Sequence, residues 1–204
     1  FDSNYFESVR FEASIKLGLT KSSHSEGVVL SDIYEEVCKD PSLGKHSVSD
    51  WVSRELDIES LVITPNLKGV KLFNRAVSQG KVVSLISDTH FEVPNIISLV
   101  SRLGLNGPFN LFASSENGYQ KADSSLFKEY LSSIDAPPRQ CLHLGDNIIN
   151  DFEVPRNLGF STIYLPSNTS LFNNSNLSSI KEYQLNKYDQ LSTGLIKNRL
   201  FNKW

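Results

Sequence analysis

The chain has 204 residues, 39% of them hydrophobic and 21% charged, which is too apolar for a disordered protein and ordinary for a globular one. Its 20 basic and 23 acidic residues leave a net charge of −3, which counts against a nucleic-acid binder that works by neutralising phosphates. No apolar run approaches the ~20 residues of a membrane span, and Cys38 and Cys141 are too few and too far apart for a disulfide framework or a zinc site, so the expectation is a protein of a reducing, cytoplasmic setting with no membrane partner.

The chain opens at Phe1 and contains no Met, which reads as the mark of an excised fragment or of residues lost from the sequence. The first third is helical in pattern. Tyr5, Phe6, Val9, Phe11, Ala13 and Leu17 recur at roughly helical spacing. Leu30, Ile33, Tyr34 and Val37 form a second apolar stripe, with Ser31 as the expected N-cap. Val48, Trp51, Val52, Leu56 and Ile58 predict a third helix after Ser47 or Ser49. Leu67, Val70, Leu72, Phe73, Ala76 and Val77 predict a fourth, stopped by Gly80.

At Lys81 the pattern changes. Val82–Ile86 is a short β-branched run bounded by Gly80 and by Ser87 and Asp88, the signature of a buried parallel strand. A helix is expected over 94–103, a strand over 109–113, a helix over 123–132, a strand over 140–144, a helix over 148–158 and a strand over 161–165. This alternation predicts a doubly wound parallel α/β sheet. The expected layout is a helical region over 1–79, an α/β core over 80–166, and a linker with an amphipathic segment over 167–204. The Asn- and Ser-rich linker carries glycosylation-type sequons at Asn168, Asn173 and Asn176, which such a composition produces by chance. Ile180, Tyr183, Leu185 and Tyr188, then Leu195, Ile196, Leu200 and Phe201, mark the last amphipathic stretch.

Open α/β sheets bind ligands at the carboxyl ends of their strands. There the sequence places Ser87, Asp88, Thr89 and His90, then Ser114, Ser115 and Glu116 leading to Lys121, then Gly145, Asp146 and Asn147 with Asp151 one turn on. A hydroxyl and an ammonium suit phosphoryl oxygens, and carboxylates suit a divalent cation. The other candidates have plainer readings. His90 and Glu116 shape a pocket or a loop. His143 and Trp51 are core residues, His24 and His46 are solvated, and Cys141 is a small strand-end hydrophobe. No Gly-x-Gly-x-x-Gly or Gly-x-x-x-x-Gly-Lys-Ser/Thr element favours a nucleotide-binding domain of another kind.

Ile86-Ser87-Asp88, Lys121 within Gly118-Tyr119-Gln120-Lys121-Ala122-Asp123, and Leu142-His143-Leu144-Gly145-Asp146-Asn147-Ile148-Ile149-Asn150-Asp151 together resemble the second, third and fourth motifs of the haloacid dehalogenase superfamily. Pro155-Arg156-Asn157-Leu158-Gly159-Phe160 continues the fourth. The separations are 34 and 25 residues, and the resemblance covers about 80–166. A finer similarity runs to members linked to glycosyltransferases of surface-polysaccharide synthesis. The resemblance implies a Rossmann-like core with a helical cap and an Mg²⁺-dependent phosphohydrolase acting on a small phosphorylated substrate through an aspartyl-phosphate. It implies that Ser87 and Lys121 hold the phosphoryl group, that Asp146 binds Mg²⁺, and that Asp151 supports the metal. The family's first motif, an Asp-x-Asp pair after a hydrophobic strand, has only Asp2 as a counterpart, with Asn at position 4. The strand and nucleophile are therefore expected upstream of Phe1 or missing from the sequence. The alternative is a degenerate, non-catalytic module beside a glycosyltransferase domain.

Overall fold

A computed structural model of the chain describes residues 3–20, 27–167 and 171. Asp2, His24, the three sequons and the stretch over 180–204 lie outside the described residues. By Cα proximity the chain divides into two compact units. The first takes Phe1–Ile63, Val83–Arg102 and Phe109–Asp135; the second takes Thr64–Val82, Leu103–Pro108 and Ala136–Trp204.

The first unit opens with three helices, α1 (Ser3–Thr20), α2 (Leu30–Val37) and α3 (Val48–Val62). In α2 the apolar positions fall at i, i+3, i+4 and i+7, one face of a 3.6-residue helix. Leu30, Ile33, Tyr34 and Val37 are accordingly all buried, each large apolar side chain contributing about 1.5–3 kcal/mol relative to exposure. Phe6, Val9, Ala13 and Leu17 of α1 meet this face, as do Val48, Trp51, Val52 and Leu56 of α3. Trp51 stacks between Phe6 and Tyr34, with ring centroids at 4.8 and 5.9 Å, which bears out its reading as a core residue. His46 is exposed but sets its ring edge against Trp51 at 5.2 Å.

One polar network crosses these helices. The Glu55 carboxylate accepts from the Arg10 guanidinium through both oxygens and from the Tyr34 hydroxyl. Burial and the Glu55 carboxylate push the Tyr34 phenol well above its ordinary pKa. Burial pulls the Arg10 guanidinium down, but its bonds to Glu55 outweigh this and hold the pKa above the ordinary value. A buried carboxylate is tolerated here because donors occupy both its oxygens.

The helix starts show which side chains do the capping. Ser47 accepts the Asp50 N–H at 3.1 Å, and Asp50 accepts the Ser47 N–H at 3.1 Å, a reciprocal capping box for α3. Ser31, the expected cap of α2, is already inside the helix. Val29 takes the cap position, and the Asp32 carboxylate reaches back to its N–H at 2.9 Å. A carboxylate in the first turn satisfies a free donor and suits the helix dipole, so a capping hydroxyl is not required.

The same unit holds β1 (Ser84–Ser87) and β2 (Asn110–Ala113), paired in parallel from Ser84↔Asn110 to Ser87↔Ala113. The first unit also holds α5 (Val93–Val100), α6 (Ser114–Asn117) and α7 (Ser125–Ser133), and α4 (Leu67–Ser78) belongs to the second. Ile96 and Leu99 of α5 and Leu126 and Phe127 of α7 are buried, and Tyr130 of α7 sets an edge-to-face contact on Phe112 of β2 at 5.4 Å.

In the second unit Asn66 caps α4 through Lys68 and Gly69 N–H. The Asn74 side chain brackets the loop that follows α5, about 30 residues on, donating to the Gly104 carbonyl and accepting from the Asn106 N–H. β3 (Leu142–Gly145) pairs in parallel with β4 (Ser161–Tyr164), in register from Leu142↔Ser161 to Gly145↔Tyr164. The connection between them differs from the single helix expected over 148–158. A π-helical turn covers Ile148–Glu153 and is followed by the short α8 (Val154–Asn157), with Pro155 in its first turn. Proline has no N–H to close an ordinary helical bond back toward Asp151, which favours a break at this point.

The fold of the described residues is thus a mixed α/β one, rich in helix, with two separate pairs of parallel strands rather than one extended sheet. No helix among the described residues is long and apolar enough to cross a membrane.

Candidate functional site

The two strand pairs each end in a polar cluster, and each cluster belongs to its own unit. In the first, the parallel register ends Ser87 opposite Ala113, so the loops after β1 and β2 leave from the same edge. They are laced together. Ser114 Oγ accepts from Thr89 N–H at 2.8 Å and donates to the Thr89 carbonyl at 3.1 Å. Ser115 Oγ donates to the Phe91 carbonyl at 2.8 Å. The Asp88 carboxylate accepts the backbone N–H of Lys121 at 3.0 and 3.3 Å. The residue next to Ser87 therefore holds the backbone of Lys121, across 33 residues of sequence.

Two further features surround this edge. Gly27, just before α2, lies so close to the backbone of Ser114 and Ser115 that a Cβ would overlap them. His90 Nδ1 stands 3.3 Å from the Val28 carbonyl. The N-terminal approach to α2 thus touches both site loops of its own unit. Ser124, three residues past Lys121, has φ of 68°, a left-handed conformation that costs a non-glycine residue of order 1–3 kcal/mol. Glu116 is exposed on α6.

In the second unit Asp146 follows β3 directly and is exposed, whereas Asp151 is 5% exposed. The two are joined through the residue between them in space. Asp151 Oδ2 accepts the Asn147 N–H at 3.1 Å. Its other oxygen, Oδ1, lies 3.3 Å from His143 Nε2. The Asn147 side chain in turn accepts from the Ile149 and Asn150 N–H groups and caps the π-helical turn. A Cβ on Gly145 would overlap the Asp151 side chain, so only glycine permits this approach.

Mg²⁺ is a hard cation that takes oxygen ligands. Asp146 fits it, as an exposed carboxylate at a strand end. Asp151 fits less directly, because both its oxygens already face protein groups, and the position suits a residue that steadies the Asp146 loop. Among the described residues no group of three or more His, Cys, Asp or Glu side chains is gathered as a ready metal site. Cys141 is buried, in line with its reading as a small hydrophobe. His143 was expected to be core; it is largely buried, but its ring is turned to a carboxylate.

No protein-family model matches the chain, and no curated protein shows significant similarity to it.

Proposed function

We propose that the chain is an Mg²⁺-dependent phosphohydrolase, or a fragment of one, with a Rossmann-like, doubly wound core, acting on a small phosphorylated substrate. The observation that carries this reading is the placement of the polar residues. Ser87 ends one strand of a parallel pair and its neighbour Asp88 accepts the Lys121 N–H, while Asp146 follows the carboxyl end of the other pair. Carboxyl ends are where α/β sheets bind ligands.

In this reading the Ser87 hydroxyl donates to a phosphoryl oxygen. The Lys121 ammonium offsets the negative charge that grows on the equatorial oxygens, and Asp88 fixes the backbone from which that lysine projects. Asp146 would hold Mg²⁺, which supplies charge neutralisation to the phosphoryl group when bound. Asp151 keeps the Asp146 loop in place. The nucleophile is a first-motif aspartate, and a partner aspartate protonates the leaving group. Asp2 lies outside the described residues, and an upstream strand is the other source. The helical region over 1–79 acts as the cap that selects substrate, and a glycosyltransferase domain is a natural neighbour. Because charge stabilisation dominates phosphoryl transfer, loss of Lys121 or Asp146 costs several kcal/mol of barrier, at about 1.4 kcal/mol per tenfold in rate.

The test is hydrolysis of an aryl phosphate with and without Mg²⁺. Metal-dependent turnover that Asp146→Asn lowers by about a hundredfold or more supports the reading. Turnover indifferent to metal and to that change overturns the site. No turnover by the chain, with or without Mg²⁺, leaves the non-catalytic accessory module as the better account.

A further inference from the structure

We propose that His143 is a positioning residue: its imidazole donates Nε2–H to Asp151 and so fixes the loop that presents Asp146. Side chains alternate along a strand, so His143 and Gly145 of β3 share one face. Asp151 lies over that face. It rests against Gly145, where the missing Cβ leaves room, and it meets His143 Nε2 at 3.3 Å. Held at these two points, its other oxygen, Oδ2, accepts the Asn147 N–H at 3.1 Å. The peptide group that follows Asp146 is thus held by a carboxylate that itself lies close over Gly145, the residue before Asp146. The His143 and Asp151 side chains are only 12% and 7% exposed, so water is a poor substitute for either partner. Histidine ligands of metals are steadied by carboxylates behind them, and here the order is reversed, with a histidine behind the carboxylate.

The clamp itself stands on geometry; its purpose, aiming Asp146, rests on the phosphohydrolase reading above. Two measurements on the full chain separate them. Long-range ¹H–¹⁵N correlation of the imidazoles reports which His143 nitrogen carries a proton. A proton on Nε2 is expected, and a neutral ring protonated at Nδ1 alone overturns the proposal. Amide exchange at Asn147 is then compared in His143→Phe and His143→Gln, since Gln can place a donor near the Nε2 position. Exchange is expected to speed up about tenfold in the Phe variant and to stay within about twofold of the parent in the Gln variant. An unchanged Phe variant, or equal loss in both, overturns the proposal. Where the Phe variant does not fold, the tautomer and the Gln variant decide the question. Mg²⁺ half-saturation of phosphatase activity is expected to rise about 10–100-fold in the Phe variant and recover in the Gln variant. Expected amide behaviour in a chain that hydrolyses nothing sinks the phosphohydrolase reading and leaves the clamp. An active chain whose Asn147 amide ignores His143 sinks the clamp and leaves the function.

Discussion

The α1–α3 region of the first unit and the β3–β4 end of the second are held together by different means. Around α2 the chain buries a continuous apolar face, with Ile33 and Val37 fully buried. At the β3–β4 end Leu142 and Ile163 remain 54% and 47% exposed, and a carboxylate, Asp151, is buried alongside Pro155, Phe160 and Cys141. Apolar packing is non-directional and stabilises through area. A hydrogen-bonded carboxylate adds little net stability, but it fixes where specific atoms lie. The first region has the larger continuous apolar face, and the second adds a buried carboxylate that fixes one loop.

The comparison is broken most forcefully at Ile33. Ile33→Ala is expected to cost about 2–5 kcal/mol of unfolding free energy, read by urea denaturation, because it empties a fully buried site. The Asn147 amide should keep its protection under native conditions in that variant. A loss at Asn147 as large as at α2 would mean that the two regions are not independent in their bracing.

Gly145→Ala tests the other side. Its Cβ displaces the Asp151 side chain rather than backbone, so the stability cost is expected to be smaller, about 1–3 kcal/mol. The marked effect falls on position instead, with Asn147 N–H losing its acceptor and its protection from exchange. A large loss of stability with that amide unmoved would contradict the description of this end.

The smallest effect sharpens the picture of the helical region. Hydrogen bonds from Lys16 and Lys39 hold the Glu36 carboxyl below its ordinary pKa. Ser42 and Tyr5 do the same for Asp40, and Ser47 for Asp50. A lowered folded-state pKa contributes stability that is present above the unfolded value, about 4 for these groups, and is lost as pH falls through the folded value. Trp51 fluorescence in a W204F background should therefore give a melting temperature that is flat above about pH 5 and declines below about pH 4. Asp50→Asn is expected to make that decline shallower, and an identical acid profile would show that the capping box carries none of it.

How much of this was legible in the sequence depends on the range of the interaction. The α2 stripe and the Ser47 cap are local patterns, and the structure follows them. The strand runs fall within a residue or two of β1 to β4, because β-branched runs between turn residues constrain little else. The resemblance-based site residues lie where a strand-end argument puts them, but their mutual bracing was not legible. Asp88 reaches Lys121 across 33 residues, and no periodicity encodes such a contact. His143 read as core because a histidine inside a strand has no local signal for its partner. The clue available was Gly145, which leaves space two residues along the same strand face. The break after Asp146 was missed because Ile148 to Leu158 has ordinary helical composition apart from Pro155.

That wide turn over Ile148–Glu153 has a consequence for how the segment tolerates change in length. A π-helical turn amounts to a single surplus residue threaded into a helix. Each helical residue advances the chain by about 100° around the axis. Deleting one residue between Asn147 and Asp151 would tidy the helix while swinging the carboxylate away from the strand beneath it. A shorter and more regular segment would therefore be the defective one.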